Sequence, residues 1–141
     1  MLTKSFQALK KCPPVSLNGA KALESSPTAM LLNEEIREGV VIIRLSGYLV
    51  ASNPSALREL IEFGRRRRAK RLIIDLRNVR FIDSRGLTTI YAVVTTCRSL
   101  GGDAKLTGMQ HHIREPFYHL RLDKQIDHFA SPEEALQSFT A

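Results

Sequence analysis

The sequence predicts an α/β fold, a single domain in which strands and helices alternate over most of the chain. Three observations predict it. Residues 40–45, a β-branched run, and residues 71–76, short and nearly continuous in apolar residues, read as strands. Leu87, Ile90, Tyr91, Val94 and Cys97 recur at three- and four-residue spacing, the mark of one buried helix face. Turn and cap residues fall between these stretches: Glu38-Gly39, Asn53-Pro54, Gly101-Gly102 and Ser131-Pro132.

Element by element, the patterned region opens at Met30. Glu38-Gly39 turns into the strand at 40–45, which Ser46-Gly47 is expected to end. Asn53 is placed to cap the next helix, with Pro54 at its first position, where a missing N–H is harmless. Leu57, Leu60 and Ile61 give that helix a face, and Gly64 with the following arginines marks its end. The run Leu72-Ile73-Ile74-Asp75-Leu76 suits a strand covered on both sides. A long helix follows, stopped by Gly101-Gly102. Ala104-Lys105-Leu106-Thr107 reads as a strand, and residues 111–122 as a helix that Pro116 should break. Residues 126–129 read as a last strand. Ser131-Pro132-Glu133-Glu134 then forms a capping box for a final helix with Ala135, Leu136 and Phe139 inward. The predicted order is β-α-β-α-β-α-β-α, which implies right-handed crossovers and much parallel pairing.

The 141 residues suit one domain, and a composition of 43% hydrophobic and 25% charged residues is that of an ordinary globular protein. Residues 1–29, with Lys4, Lys10, Lys11 and Lys21 against Glu24 alone, read as a basic, flexible extension; residues 30–141 hold the fold. One reading of this boundary takes Met30 as the true translation start. Cys12 and Cys97 form no paired motif, which points away from a disulfide or metal framework and toward a reducing, cytoplasmic setting. No stretch is long and apolar enough to span a bilayer. The net charge is +7, and much of the excess lies in Arg65-Arg66-Arg67-Arg68-Ala69-Lys70-Arg71. Such a run can attract polyanions, but it lacks interleaved aromatics and reads first as a solvated helix end.

The chemistry concentrates in Phe81-Ile82-Asp83-Ser84-Arg85-Gly86-Leu87, at a strand-to-helix junction. Asp83 or Ser84 there can accept the free N–H groups of the first helical turn. A hydroxyl at that place is exposed, and the helix N-terminus tolerates a phosphate. Asp83 would repel that phosphate from one residue away, and Gly86 permits close backbone approach. Alone, such a segment is most often only a cap.

The stretch from Leu72 through Asp83-Ser84-Arg85-Gly86-Leu87 resembles the central signature of STAS domains, above all the bacterial anti-sigma factor antagonists. Arg98-Ser99-Leu100-Gly101-Gly102-Asp103-Ala104-Lys105-Leu106, Leu120-Arg121-Leu122-Asp123-Lys124 and Ser131-Pro132-Glu133-Glu134-Ala135-Leu136 resemble further family segments in the same order, over about residues 33–140. The resemblance implies a mixed sheet of four to five strands with about four helices, no enzymatic activity and no cofactor. It implies phosphorylation of Ser84 by an anti-sigma factor that is also a serine kinase, with a phosphatase resetting the switch. Asp83, Ser84, Arg85, Gly86, Tyr48 and Asn53 are the expected partner-binding residues. Direct nucleic-acid binding is not expected, and weak self-association is allowed.

Three departures from the family pattern stand out. Arg85 replaces a small residue, the turn Gly47-Tyr48-Leu49-Val50 lacks two acids, and Pro116 interrupts the helix flanking the switch loop. Arg85 and the lost acids favour a second reading, a constitutive scaffold or adaptor on the same fold. A third reading is attachment to nucleic acid or anionic membrane through the basic stretches. His111, His112, His119 and His128 lack the companions a metal site needs. Ser84 lacks a nucleophile elbow and an assigned base, and no phosphate-binding glycine loop is present. Cys97 lies on an apolar stripe and reads as core.

Overall fold

The computed structural model describes residues 30–140; residues 1–29, including Cys12 and the expected basic extension, lie outside the described residues, as does Ala141. Five strands form one mixed sheet in sequence order: β1 (Leu31–Arg37), β2 (Val40–Leu49), β3 (Arg71–Ile82), β4 (Asp103–Thr107) and β5 (His128–Phe129). β1 pairs antiparallel to β2, and every later neighbour pairs parallel. The crossovers are α1 (Pro54–Arg67), α2 (Ser84–Ser99) and α3 (His111–His119), with α4 (Pro132–Thr140) last. The expected α/β class, mixed sheet and four helices are all present.

The sheet buries two unequal faces. The larger cluster joins Val41, Ile43, Leu45, Leu72, Ile74 and Leu76 to Leu60 and Phe63 of α1 and to Leu87, Ile90, Val94 and Cys97 of α2. The smaller sets Val40, Ile42 and Ile73 against Ala135 and Leu136 of α4. Both faces of β3 are therefore covered near its start, which explains its nearly continuous apolar run, interrupted by Asp75 alone from Leu72 to Leu76. Each fully buried Leu or Ile contributes about 1.5–3 kcal/mol, so these clusters dominate the fold's stability.

Several elements differ from expectation. β1 is a strand that the alternating pattern did not reveal, because Asn33, Glu34 and Glu35 interrupt any apolar period. It is held by its ladder and by charge: Glu35 accepts from Arg37 and from Arg44, each at 2.7 Å, and Glu34 pairs with Arg67. Those guanidiniums, Arg37 first, hold the Glu35 carboxyl below the usual range. The Glu38-Gly39 turn has positive φ at both residues, 55° and 79°, as a two-residue hairpin requires.

β2 does not stop at Ser46-Gly47. It passes an irregularity there and pairs with β3 as far as Leu49↔Ile82, so the expected turn at 47–50 is mostly strand. α1 likewise runs past Gly64, which is buried against Val93. Pro116 lies inside α3 rather than breaking it. It forfeits one backbone bond and crowds the preceding turn, at about 3 kcal/mol. Ile113 and Phe117, one turn apart and both fully buried, offset that loss.

Cys97 is buried in the core as expected. Burial, with a smaller push from the Asp103 charge, raises its thiol from 9.0 to about 11. The unfolded chain therefore releases this proton first as pH rises. The contribution is intact below about pH 9 and is lost as pH climbs through about 11. Between these limits the wild type is expected to lose more stability than Cys97→Ala. Parallel alkaline slopes in urea unfolding would disprove it.

Candidate functional site

The site is built where β2 and β3 end side by side. β2 leads through residues 50–53 into α1, and β3 leads directly into α2. Asp83 ties the two exits together. Its Oδ1 accepts from the Gly86 N–H at 2.9 Å, capping α2, and its Oδ2 accepts from the Ala51 N–H at 2.8 Å, across the sheet end. Its own N–H donates to the Leu49 carbonyl at 3.3 Å. Gly86 sits over that carbonyl so closely that a Cβ there would lie 2.1 Å from the oxygen.

Asp83, not Ser84, is therefore the cap. Ser84 is the first helical residue, exposed, and its hydroxyl has no hydrogen-bond partner among the described residues. The division has a physical cause. An extended backbone at Asp83 (φ −113°, ψ −173°) aims its carboxylate at the free N–H two positions past Ser84, while Ser84 already follows the helix outward. Asp83→Ala removes acceptors for two backbone donors and is expected to cost about 2 kcal/mol. Ser84→Ala should stay within about 0.5 kcal/mol of wild type. Equal urea midpoints for the two variants would refute this division of roles.

The other expected binding residues gather at the same end. Asn53 stands at the cap position of α1 but does not cap it; its amide donates instead to the Tyr48 carbonyl at 3.0 Å. Tyr48, half-buried at the end of β2, stacks on Phe81 with ring centroids 5.3 Å apart. Phe81 meets the His112 ring edge-on at 6.2 Å, and His112 reaches the Arg80 carbonyl at 2.7 Å. Phe81 remains 56% exposed. This row of rings joins β2, β3 and α3, and Phe81 and His112 were not among the expected binding residues. The 48↔81 register of the parallel pair brings Tyr48 to Phe81, and α3 brings His112 to them.

Arg77, Arg80 and Arg85 are exposed, and none has an ion-pair partner among the described residues. Both Asp83 oxygens are committed to backbone donors. The surface thus offers an accessible hydroxyl at a helix N-terminus, next in sequence to the exposed Arg85 and at the same sheet end as a partly exposed aromatic row. Such a surface suits modification by, or docking of, an anionic group. Among the described residues no group of three or more His, Cys, Asp and Glu is placed to hold a metal, and no helix is long and apolar enough to cross a membrane.

Comparison with known proteins follows the same outline. A family model, the STAS domain, matches residues 32–135. No curated protein sequence matches the chain. Among solved structures, an anti-sigma factor antagonist from Mycobacterium paratuberculosis aligns with a TM-score of 0.72 at 23% identity, covering 82% of this chain and 98% of that one. The Bacillus cell fate determinant SpoIIAA in its phosphorylated form aligns at 0.56 and 22% identity, covering 79% and 99%. Murine Slc26a9, an anion transporter, aligns at 0.60 and 17% identity over 73% of this chain but only 18% of its own. At these identities the likeness is one of fold.

Proposed function

This chain belongs to the STAS domain family, and from that premise we propose that it is a non-enzymatic regulatory binding protein of the anti-sigma factor antagonist kind, switched by phosphorylation of Ser84. The observation that carries the reading is the Asp83–Ser84 junction. Asp83 supplies the structural cap, which leaves the Ser84 hydroxyl exposed and unengaged at the end of the sheet. Likeness in fold to a named antagonist and to phosphorylated SpoIIAA supports it.

The switch would act through Asp83. A phosphate adds about −2 charge beside a carboxylate that holds the Ala51 N–H. Repulsion loosens that bond and with it residues 50–53, on the partner-facing surface. Arg85 is a neighbouring cation that can draw the phosphate away from Asp83.

The test uses the serine-kinase anti-sigma factors encoded in the same genome. With ATP, one of them is expected to place phosphate on Ser84, located by mass spectrometry. Ser84→Asp is expected to bind it at least about tenfold more weakly than Ser84→Ala. No phosphate on Ser84, together with equal binding of both variants, would sink the proposal.

A second reading, a constitutive adaptor without phosphorylation, is favoured by two features. Arg85 and Val50 stand where a kinase-facing surface of this family would carry a small residue and an acid, and the fold is shared with part of a transporter. Recovery of a transport assembly and no kinase in pulldowns would support it.

A further inference from the structure

We propose that the cleft at the end of the sheet opposite Ser84 is a binding site for phosphate-bearing anions. It lies where α1 ends, β3 begins and the β1–β2 hairpin turns, about 35 Å along β3 from Ser84. Its volume is about 420 Å³. Arg67, Arg68, Lys70 and Arg71 line it, with Ile36 and Val41 as apolar walls, and no carboxylate belongs to the lining.

Three arginines elsewhere are matched to acids: Arg37 and Arg44 to Glu35, and Arg98 to Asp103. In the cleft only Arg67 is matched, through Glu34. Arg68, Lys70 and Arg71 have no ion-pair partner among the described residues. Like charges converging on a concavity repel one another, and an anion relieves that repulsion.

The cations also stand on a fixed backbone. Arg68 holds a left-handed conformation (φ 51°, ψ 41°), closed by its N–H to the Gly64 carbonyl. The Lys70 carbonyl accepts from the Asp103 N–H at 2.7 Å, and Gly102 packs directly against the Lys70 backbone. A ligand therefore pays little to order the loop, although the long side chains must still settle.

Phosphate is the chemistry this set fits best. Guanidiniums bind its oxygens in pairs, and an ammonium adds a point charge. No aromatic residue lines the cleft, so stacked nucleic-acid bases find no platform. Ile36, 60% exposed at the rim, provides apolar contact. A lipid headgroup and a soluble oligophosphate share the required group.

The experiment uses the full chain, so residues 1–29 contribute equally to every sample. Binding of inorganic tripolyphosphate is measured by calorimetry, and binding to vesicles of phosphatidylglycerol in phosphatidylcholine by cosedimentation, both at about 0.15 M salt. Arg68→Glu/Lys70→Glu/Arg71→Glu is expected to weaken binding at least about tenfold. The charge-matched control Arg58→Glu/Arg114→Glu/Lys124→Glu is expected to stay within about twofold of wild type. The milder Lys70→Gln/Arg71→Gln replaces the triple variant should circular dichroism show the latter unfolded. Selective loss with tripolyphosphate identifies a soluble ligand, and selective loss with vesicles alone identifies a headgroup; either upholds the site. Wild type that binds neither probe, or a control that loses as much as the cleft variant, overturns it.

Discussion

Gly102→Ala is expected to destabilise the domain by about 3 kcal/mol or more, measured by urea unfolding. A Cβ at this position would lie 1.7 Å from the Lys70 carbonyl oxygen, 2.4 Å from its carbon and 2.6 Å from its Cα. All three are backbone atoms, so no side chain can swing aside. The same carbonyl accepts the Asp103 N–H at the pair that opens the β3–β4 ladder. Relief of the clash therefore means moving the start of a strand.

The neighbouring Gly101 supplies the internal control. It has φ 89° and open space around its Cβ position. Gly101→Ala is left with only the left-handed backbone penalty, about 1–2 kcal/mol. The sequence presents Gly101-Gly102 as one helix stop, yet the two are glycine for different reasons: conformation in the first, space in the second. If Gly102→Ala costs no more than Gly101→Ala, residues 68–70 yield easily, and the cationic cleft loses the stiffness argued for it.

That pair illustrates how far local pattern reaches. Residues 71–76 were legible as a strand covered on both faces, because Ile73 goes to one cluster and Leu72 and Ile74 to the other. The face of α2 and the capping box of α4 were legible too; Ser131 Oγ does accept the Glu134 N–H at 3.2 Å. β1 was not, since its hold comes from pairing with Val40–Leu49 and from Arg44 and Arg67, which lie 9 and 33 residues from the acids they meet. Nor was the full length of β3, whose second half carries Arg77, Asn78 and Arg80 outward while Val79 alone is buried.

The candidate site divides the same way. The D-S-x-G segment, its place at a helix start and the exposure of Ser84 follow from sequence alone. The bond from Asp83 to Ala51, 32 residues away, and the Tyr48–Phe81 stack do not. Both depend on two strands ending at the same level, a property of register rather than composition. The aromatic row gives this end of the sheet an exposed apolar element, with Phe81 at 56% exposure.

The end of the sheet also decides the second large prediction. Gly86 is the third residue of α2, where helix propensity alone favours alanine by about 1 kcal/mol. Space argues the other way. A Cβ would lie 2.1 Å from the Leu49 carbonyl oxygen, 3.0 Å from its carbon and 2.7 Å from Ile82 Cγ1. Leu49 is fully buried and its carbonyl already accepts the Asp83 N–H, so it has little room to retreat. The clash outweighs propensity, and Gly86→Ala is expected to lose about 2 kcal/mol net or more. Because α2 must lift away from β2, the Asp83–Ala51 bond lengthens, and hydrogen exchange at the Ala51 amide should accelerate. Binding through residues 50–53 and Ser84 should weaken even at temperatures where the variant stays folded. A variant as stable as wild type, as propensity alone predicts, would mean that the exits of β2 and β3 are not locked together, and a phosphate on Ser84 would then have no fixed contact through which to act.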